Sequence, residues 1–121
     1  MSKQHKIIWL VIAVIIISGL TWALAKNQHV AVDNNKPILF YSNSCPHCRN
    51  VEQYIAENNI TSRYDFDQKE ITTDQNNIAL LIKKAQICGE DVNTLGVPLL
   101  FDNGKCYSGD KEIINYLASK N

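Results

Sequence analysis

The chain has no excess of either charge: twelve Lys and Arg face twelve Asp and Glu. No basic stripe is interleaved with aromatics, so the electrostatic footprint of a nucleic-acid binder is missing. No internal repeat and no low-complexity tract is present, which excludes solenoids and arrays. A second Cys-x-x-Cys and a His-x-x-x-His knuckle are both lacking, so no ready-made zinc finger is encoded. With 121 residues, 45% of them hydrophobic, there is enough apolar material for one modest core and too little for two independent domains.

The apolar residues are unevenly spread. Between Lys6 and Lys26 runs the uncharged stretch "IIWLVIAVIIISGLTWALA", which as a helix would span roughly 28 Å, close to a bilayer's hydrocarbon core. Two membrane readings compete: a signal anchor over 7–25 with Trp9 and Trp22 as interfacial aromatics, and a signal peptide processed at Ala23-Leu24-Ala25. Lys3 and Lys6 keep the N-terminus cytoplasmic under the positive-inside bias. The expected organisation is therefore a cytoplasmic 1–6, a transmembrane 7–25, a polar tether 26–35 and a folded domain 36–121. That domain would lie outside the cytoplasm, anchored and within reach of a membrane redox partner, or secreted in soluble form if the chain is cut after Ala25.

Within the folded part, "PILFYS" (Pro37 to Ser42) is a continuous apolar run too short for a helix, and it reads as a buried strand. Ser44 is placed to cap a helix whose inner face carries Cys48, Val51, Tyr54 and Ile55. "SRYDFD" (Ser62 to Asp67) alternates as a half-exposed strand should. A helix from about Asp74 to Cys88 follows, closed by Gly89. In "GVPLLFDNGKCYSG" the Asn103-Gly104 pair signals a hairpin pairing Asp102 with Lys105 and Phe101 with Cys106. Asp110 then caps a last helix with Ile113, Ile114 and Leu117 inward. The order is β-α-β-α-β-β-α, an α/β fold with a mixed four-stranded sheet and flanking helices.

Four cysteines occupy positions 45, 48, 88 and 106. Cys45, in the first turn of the capped helix, meets free backbone N–H groups and the positive end of the helix dipole, which favour a thiolate nucleophile. Cys48 lies on the same face, turned towards the core, where it can resolve a mixed disulfide. Pro46 is tolerated there because its missing N–H has no intrahelical partner. His47, charged or donating a hydrogen bond, would favour the thiolate further, and Arg49 adds a positive charge. The rival reading of the same pair is a metal-binding or metallochaperone module, with Cys88 and Cys106 or a histidine completing a tetrahedral site.

The strand before "CPHC", the "GVP" before a hairpin and the "SGD" opening the last helix resemble the thioredoxin superfamily in the minimal arrangement of glutaredoxins. The match covers roughly Lys36 to Lys120. The CPHC tetrapeptide is similar to that of periplasmic disulfide-forming proteins, which carry a large helical insertion that this chain has no room for. The resemblance implies a thiol–disulfide oxidoreductase of the cell envelope. It needs no cofactor beyond the Cys45–Cys48 disulfide and acts on protein or small thiols, with glutathione a candidate co-substrate and no metal. It implies a cis peptide at Pro98, with the Val97 backbone pairing to the substrate, and it marks Gly109 and Asp110 as substrate-binding positions, although Asp110 also fits a plain helix cap.

Cys88 and Cys106 admit three readings: a disulfide staple, two buried thiols that behave as small hydrophobes, and an electron relay to the active pair. Geometry decides the first, because α-carbons more than about 7 Å apart cannot be bridged.

Overall fold

Ile38, Leu39, Phe40 and Leu99, Leu100, Phe101 are all buried, and consecutive buried apolar residues require a strand covered on both faces. The computed structural model describes residues 2–25 and 36–120, with side chains over 2–19 and 36–120. It divides into two units, Met1–Asp33 and Asn34–Asn121. In the second, the two apolar runs form the central strands β1 (Ile38–Tyr41) and β3 (Leu99–Asp102), flanked by β2 (Asp67–Glu70) and β4 (Lys105–Ser108). The sheet order is β2-β1-β3-β4. β1 runs parallel to β2 and antiparallel to β3, and β3 pairs antiparallel with β4.

Alternation along the central strands divides the core in two. Leu39 and Leu100 point to the face covered by α2 (Pro46–Glu57) and α4 (Asp110–Ala118), packing with Val51, Ile55, Ile113 and Leu117. Ile38, Phe40, Leu99 and Phe101 point to the face covered by α3 (Gln75–Ile87), against Leu81. Lys84, on the inner face of α3, is buried with its ammonium 4.6 Å from the centre of the Phe101 ring. Its apolar stem fills core volume, and its head gains a cation–π contact.

The hairpin forms in the expected register, Asp102 opposite Lys105 and Phe101 opposite Cys106. Asn103 and Gly104 both take positive φ, 50° and 80°, the conformation a two-residue turn of matching twist demands. α3 is capped by the Asp74 carboxylate, which accepts the Asn76 N–H at 2.9 Å.

Three local expectations are corrected. The second strand is Asp67–Glu70 and not Ser62–Asp67; Ile60–Ser62 forms a 3₁₀ turn instead. The alternation of Tyr64 and Phe66 serves a loop that packs both rings, 5.5 Å apart, beside the α2/α4 core. β2 itself is an edge strand of four polar residues, held by backbone pairing to β1 and protected by charge from further pairing. The cap of α2 is Cys45 and not Ser44. That of α4 is Gly109, at φ 81°, which leaves Asp110 as the first helical residue.

In the first unit, the backbone of α1 is helical over Lys3–Ala25. Among the described residues, however, no helix is long and apolar enough to cross a membrane. This corrects the expected transmembrane anchor over 7–25, the membrane partner, and the extracytoplasmic location that rested on them. The interfacial role of Trp22 and the processing site at Ala23-Leu24-Ala25 fall outside the described side chains, and the tether 26–35 falls outside the described residues.

Candidate active site

Pro46 opens α2, so the residue before it is held in extended conformation, and Cys45 takes φ −97° and ψ 116°. That backbone turns the Cys45 side chain back over the helix start. Its Sγ accepts the Cys48 N–H at 3.1 Å, as a capping oxygen would. Donation from that N–H and the positive end of α2 both favour negative charge on this sulfur. Cys45 is partly exposed while Cys48 is buried, and both are free thiols.

Burial pushes the Cys48 thiol up to about 12. The hydrogen bond to Cys45 and the nearby Cys45 and Glu52 charges act in the same direction, and a backbone hydrogen bond at Ser42 acts against them. Exposure of Cys45 and burial of Cys48 thus assign different roles to the two sulfurs. At pH 8 iodoacetamide is expected to modify Cys45 and leave Cys48 unmodified in the folded protein, readable by peptide mass spectrometry. Equal labelling of both would contradict the burial argument.

The third wall of the site comes from the chain entering β3. The Val97–Pro98 peptide bond is cis, a conformation essentially confined to proline. The Cys45 S–H donates to the Val97 carbonyl at 3.6 Å. The Pro98 carbonyl accepts the Gly109 N–H at 3.1 Å, tying this segment to the start of α4. The structure thus brings Cys45, Cys48, Val97 and Pro98 together, with Gly109 behind them.

His47 does not pair with Cys45. Its Nδ1 lies 3.1 Å from Asp110 Oδ2, and because a carboxylate only accepts, Nδ1 carries the hydrogen. The same Oδ2 accepts from Asn50 Nδ2 at 2.7 Å. Asn50 and His47 together hold the Asp110 carboxyl down at about 2, so it is charged throughout the neutral range. Asn50 has no place in the sequence reading. The signal available was its spacing: three residues after His47 on α2, it shares the face that meets the start of α4.

Cys88 and Cys106 are joined in a disulfide, with α-carbons 5.8 Å apart. Neither is therefore available to complete a tetrahedral metal site with Cys45 and Cys48. Among the described residues no group of three His, Cys, Asp or Glu side chains is arranged to hold a metal ion.

A β-α-β unit joined to a β-hairpin, with a cis-proline facing a Cys-x-x-Cys helix start, decides the architecture. The domain has a thioredoxin-like fold. No family model and no curated protein matches the chain. Among solved structures it is similar to oxidized glutaredoxin 2 from Chlamydomonas reinhardtii, at 21% identity, 70% of this chain, 73% of that one and a TM-score of 0.48. It is also similar to glutaredoxin 1 from Francisella tularensis complexed with cacodylate, at 24% identity over 70% and 93% of the two chains, TM-score 0.46. A buckwheat glutaredoxin-glutathione complex matches at 20% identity over 84% and 92%, TM-score 0.46.

Proposed function

We propose that the protein is a thiol–disulfide oxidoreductase that exchanges disulfides with protein or small thiols through Cys45 and Cys48. The observation that carries this reading is the Cys45 sulfur at the N-cap of α2, 3.1 Å from the Cys48 N–H and 3.6 Å from the carbonyl preceding a cis-proline.

In the reducing direction the Cys45 thiolate attacks one sulfur of a substrate disulfide. A Cys45–substrate bond forms, the substrate S–S bond breaks, and the departing thiolate takes up a proton. Cys48 then loses its proton and attacks the Cys45 sulfur, giving the Cys45–Cys48 disulfide and releasing the second substrate thiol. Two electrons and two protons have passed to the substrate, and the reverse sequence donates a disulfide. Burial first, and then the hydrogen bond and charge of Cys45, raise the Cys48 pKa and keep it protonated; once Cys45 is bonded to substrate, its share of that opposition to ionisation is gone.

The substrate backbone is assigned to the Val97–Pro98 edge, which borders the reacting sulfur. Gly109 and Asp110 serve the site less directly. The Gly109 N–H is committed to Pro98, and the Asp110 carboxylate to Asn50 and His47. Glutathione as co-substrate would compete for these groups, and a protein chain docking along Val97–Pro98 would not.

Cys45→Ser is expected to abolish turnover of a model disulfide such as insulin or a glutathione mixed disulfide. Retention of full activity in that variant would overturn the assignment.

A further inference from the structure

The imidazole at the centre of the CPHC tetrapeptide is engaged by a carboxylate from another helix. His47 is 70% exposed at its side chain while Asp110 is 19% exposed, so the acceptor is the better fixed of the two. It is fixed by Asn50 at 2.7 Å and by the Lys111 N–H on Oδ1 at 2.9 Å. The charged groups on the packed elements are Arg49, Glu52 and Glu57 on α2 and Asp110, Lys111 and Glu112 on α4; Glu57, at the far end of α2, accepts from Gln53 Nε2 at 2.7 Å. Glu112 is turned away, its Oε2 accepting the Ser108 N–H at 2.9 Å, so Asp110 is the group paired with the ring.

We propose that Asp110, steadied by Asn50, is a positioning residue that draws the His47 imidazole onto its carboxylate and offsets its charge there, making the Cys45–Cys48 disulfide a weaker oxidant than the tetrapeptide alone would be. This rests on the oxidoreductase reading above. With Nδ1–H committed to Asp110, a neutral ring presents Nε2 as an acceptor only, so it has no N–H to offer a thiolate. A protonated ring carries a positive charge beside a negative one.

The sign of the effect does not depend on the state of the ring. If His47 is charged with and without Asp110, removing the carboxylate leaves a positive charge unopposed. If it is neutral in both cases, a negative charge disappears. If it is charged only beside the carboxylate, both arrangements sum to zero. In the first two states Asp110→Asn favours the Cys45 thiolate, and a better thiolate stabilises the reduced protein; the third state gives no shift and is the one the proposal excludes.

The test compares wild type with Asp110→Asn in a glutathione redox buffer and by iodoacetamide trapping at pH 6. Removing one charge at this partly exposed site should speed Cys45 alkylation by about threefold. It should also move the dithiol–disulfide equilibrium about threefold towards the dithiol, a potential about 14 mV more positive for a two-electron couple. Both effects should shrink in high salt. Imidazole nitrogen chemical shifts add a readout that a merely structural role would not move: wild-type His47 should show the Nδ1–H tautomer, and Asp110→Ala, which removes the acceptor oxygen, should lose it. The wild-type tautomer carries the test even if the variants fail to fold. An Nε2–H tautomer in wild type, an unchanged equilibrium in Asp110→Asn, or a shift towards the disulfide would overturn the role of Asp110. Failure of any Cys45–Cys48 disulfide to form would instead overturn the function on which it rests.

Discussion

Cys48→Ser is expected to stop the reaction halfway, with substrate attached to Cys45 by a mixed disulfide that accumulates in place of product. Cys45 remains able to attack, because its capping hydrogen bond uses the backbone N–H of position 48 and not its side chain. What is lost is an intramolecular nucleophile. Replacing it by an external thiol costs the advantage of proximity, which for well-oriented groups amounts to many orders of magnitude. Turnover of a dithiol substrate should fall by about two orders of magnitude or more. Intact-protein mass spectrometry after reaction with a peptide disulfide should show one peptide per chain. A variant that turns over normally, or that forms no adduct, would contradict the division of labour between an accessible Cys45 and a buried Cys48.

The second large effect concerns stability. The Cys88–Cys106 disulfide joins the C-cap of α3 to the middle of β4, with a sequence separation of 18. Closing a loop of that size stabilises by about 3 kcal/mol on the chain-entropy estimate. For a small domain this is a large part of the total. The closed loop contains Val97, Pro98 and all of β3, so the staple restrains the segment that faces Cys45. Cys88→Ala with Cys106→Ala should lower the thermal midpoint by roughly 12–24 °C, as should reduction of the wild type by excess dithiothreitol. A loss below about 1 kcal/mol in denaturant titrations would show that the native fold already restrains this loop without the covalent link.

Much of the domain is legible in the sequence because its strongest signals are local. β1 and β3 are unbroken apolar runs, as strands buried on both faces must be. The hairpin is announced by Asn103-Gly104, whose positive φ values few other residues accept. β2 is not legible, because an edge strand made of Asp67, Gln68, Lys69 and Glu70 has no apolar face. Its existence depends on the pairing of β1, while the alternation of Tyr64 and Phe66 upstream reports side chains packed from a loop. Lys84 is hidden for a related reason: its charge marks a solvent position, whereas its stem lies in the core against Phe101.

At the site the same distinction applies. The Cys45–Cys48 spacing and the proline before a strand carry their chemistry within a few residues. The His47–Asp110 pair spans 63 positions, and only the packing of α2 on α4 brings the two together. Asp110 could be placed at the start of a helix from its neighbours, but its partner on another element could not. The apolar N-terminal stretch shows the opposite failure: hydropathy alone pointed to a membrane span, which the described residues do not support.

The central claim is that Cys45 and Cys48 interconvert reversibly between dithiol and disulfide. Its most direct test is to equilibrate the full chain in glutathione buffers of graded potential with zinc present at micromolar concentration. The reaction is then quenched with acid and alkylated under denaturing conditions, and the modified peptides are counted. The account predicts a single two-electron transition confined to the Cys45–Cys48 peptide, with Cys88–Cys106 unchanged and no metal bound. A pair that remains reduced at every potential while holding stoichiometric zinc would contradict it.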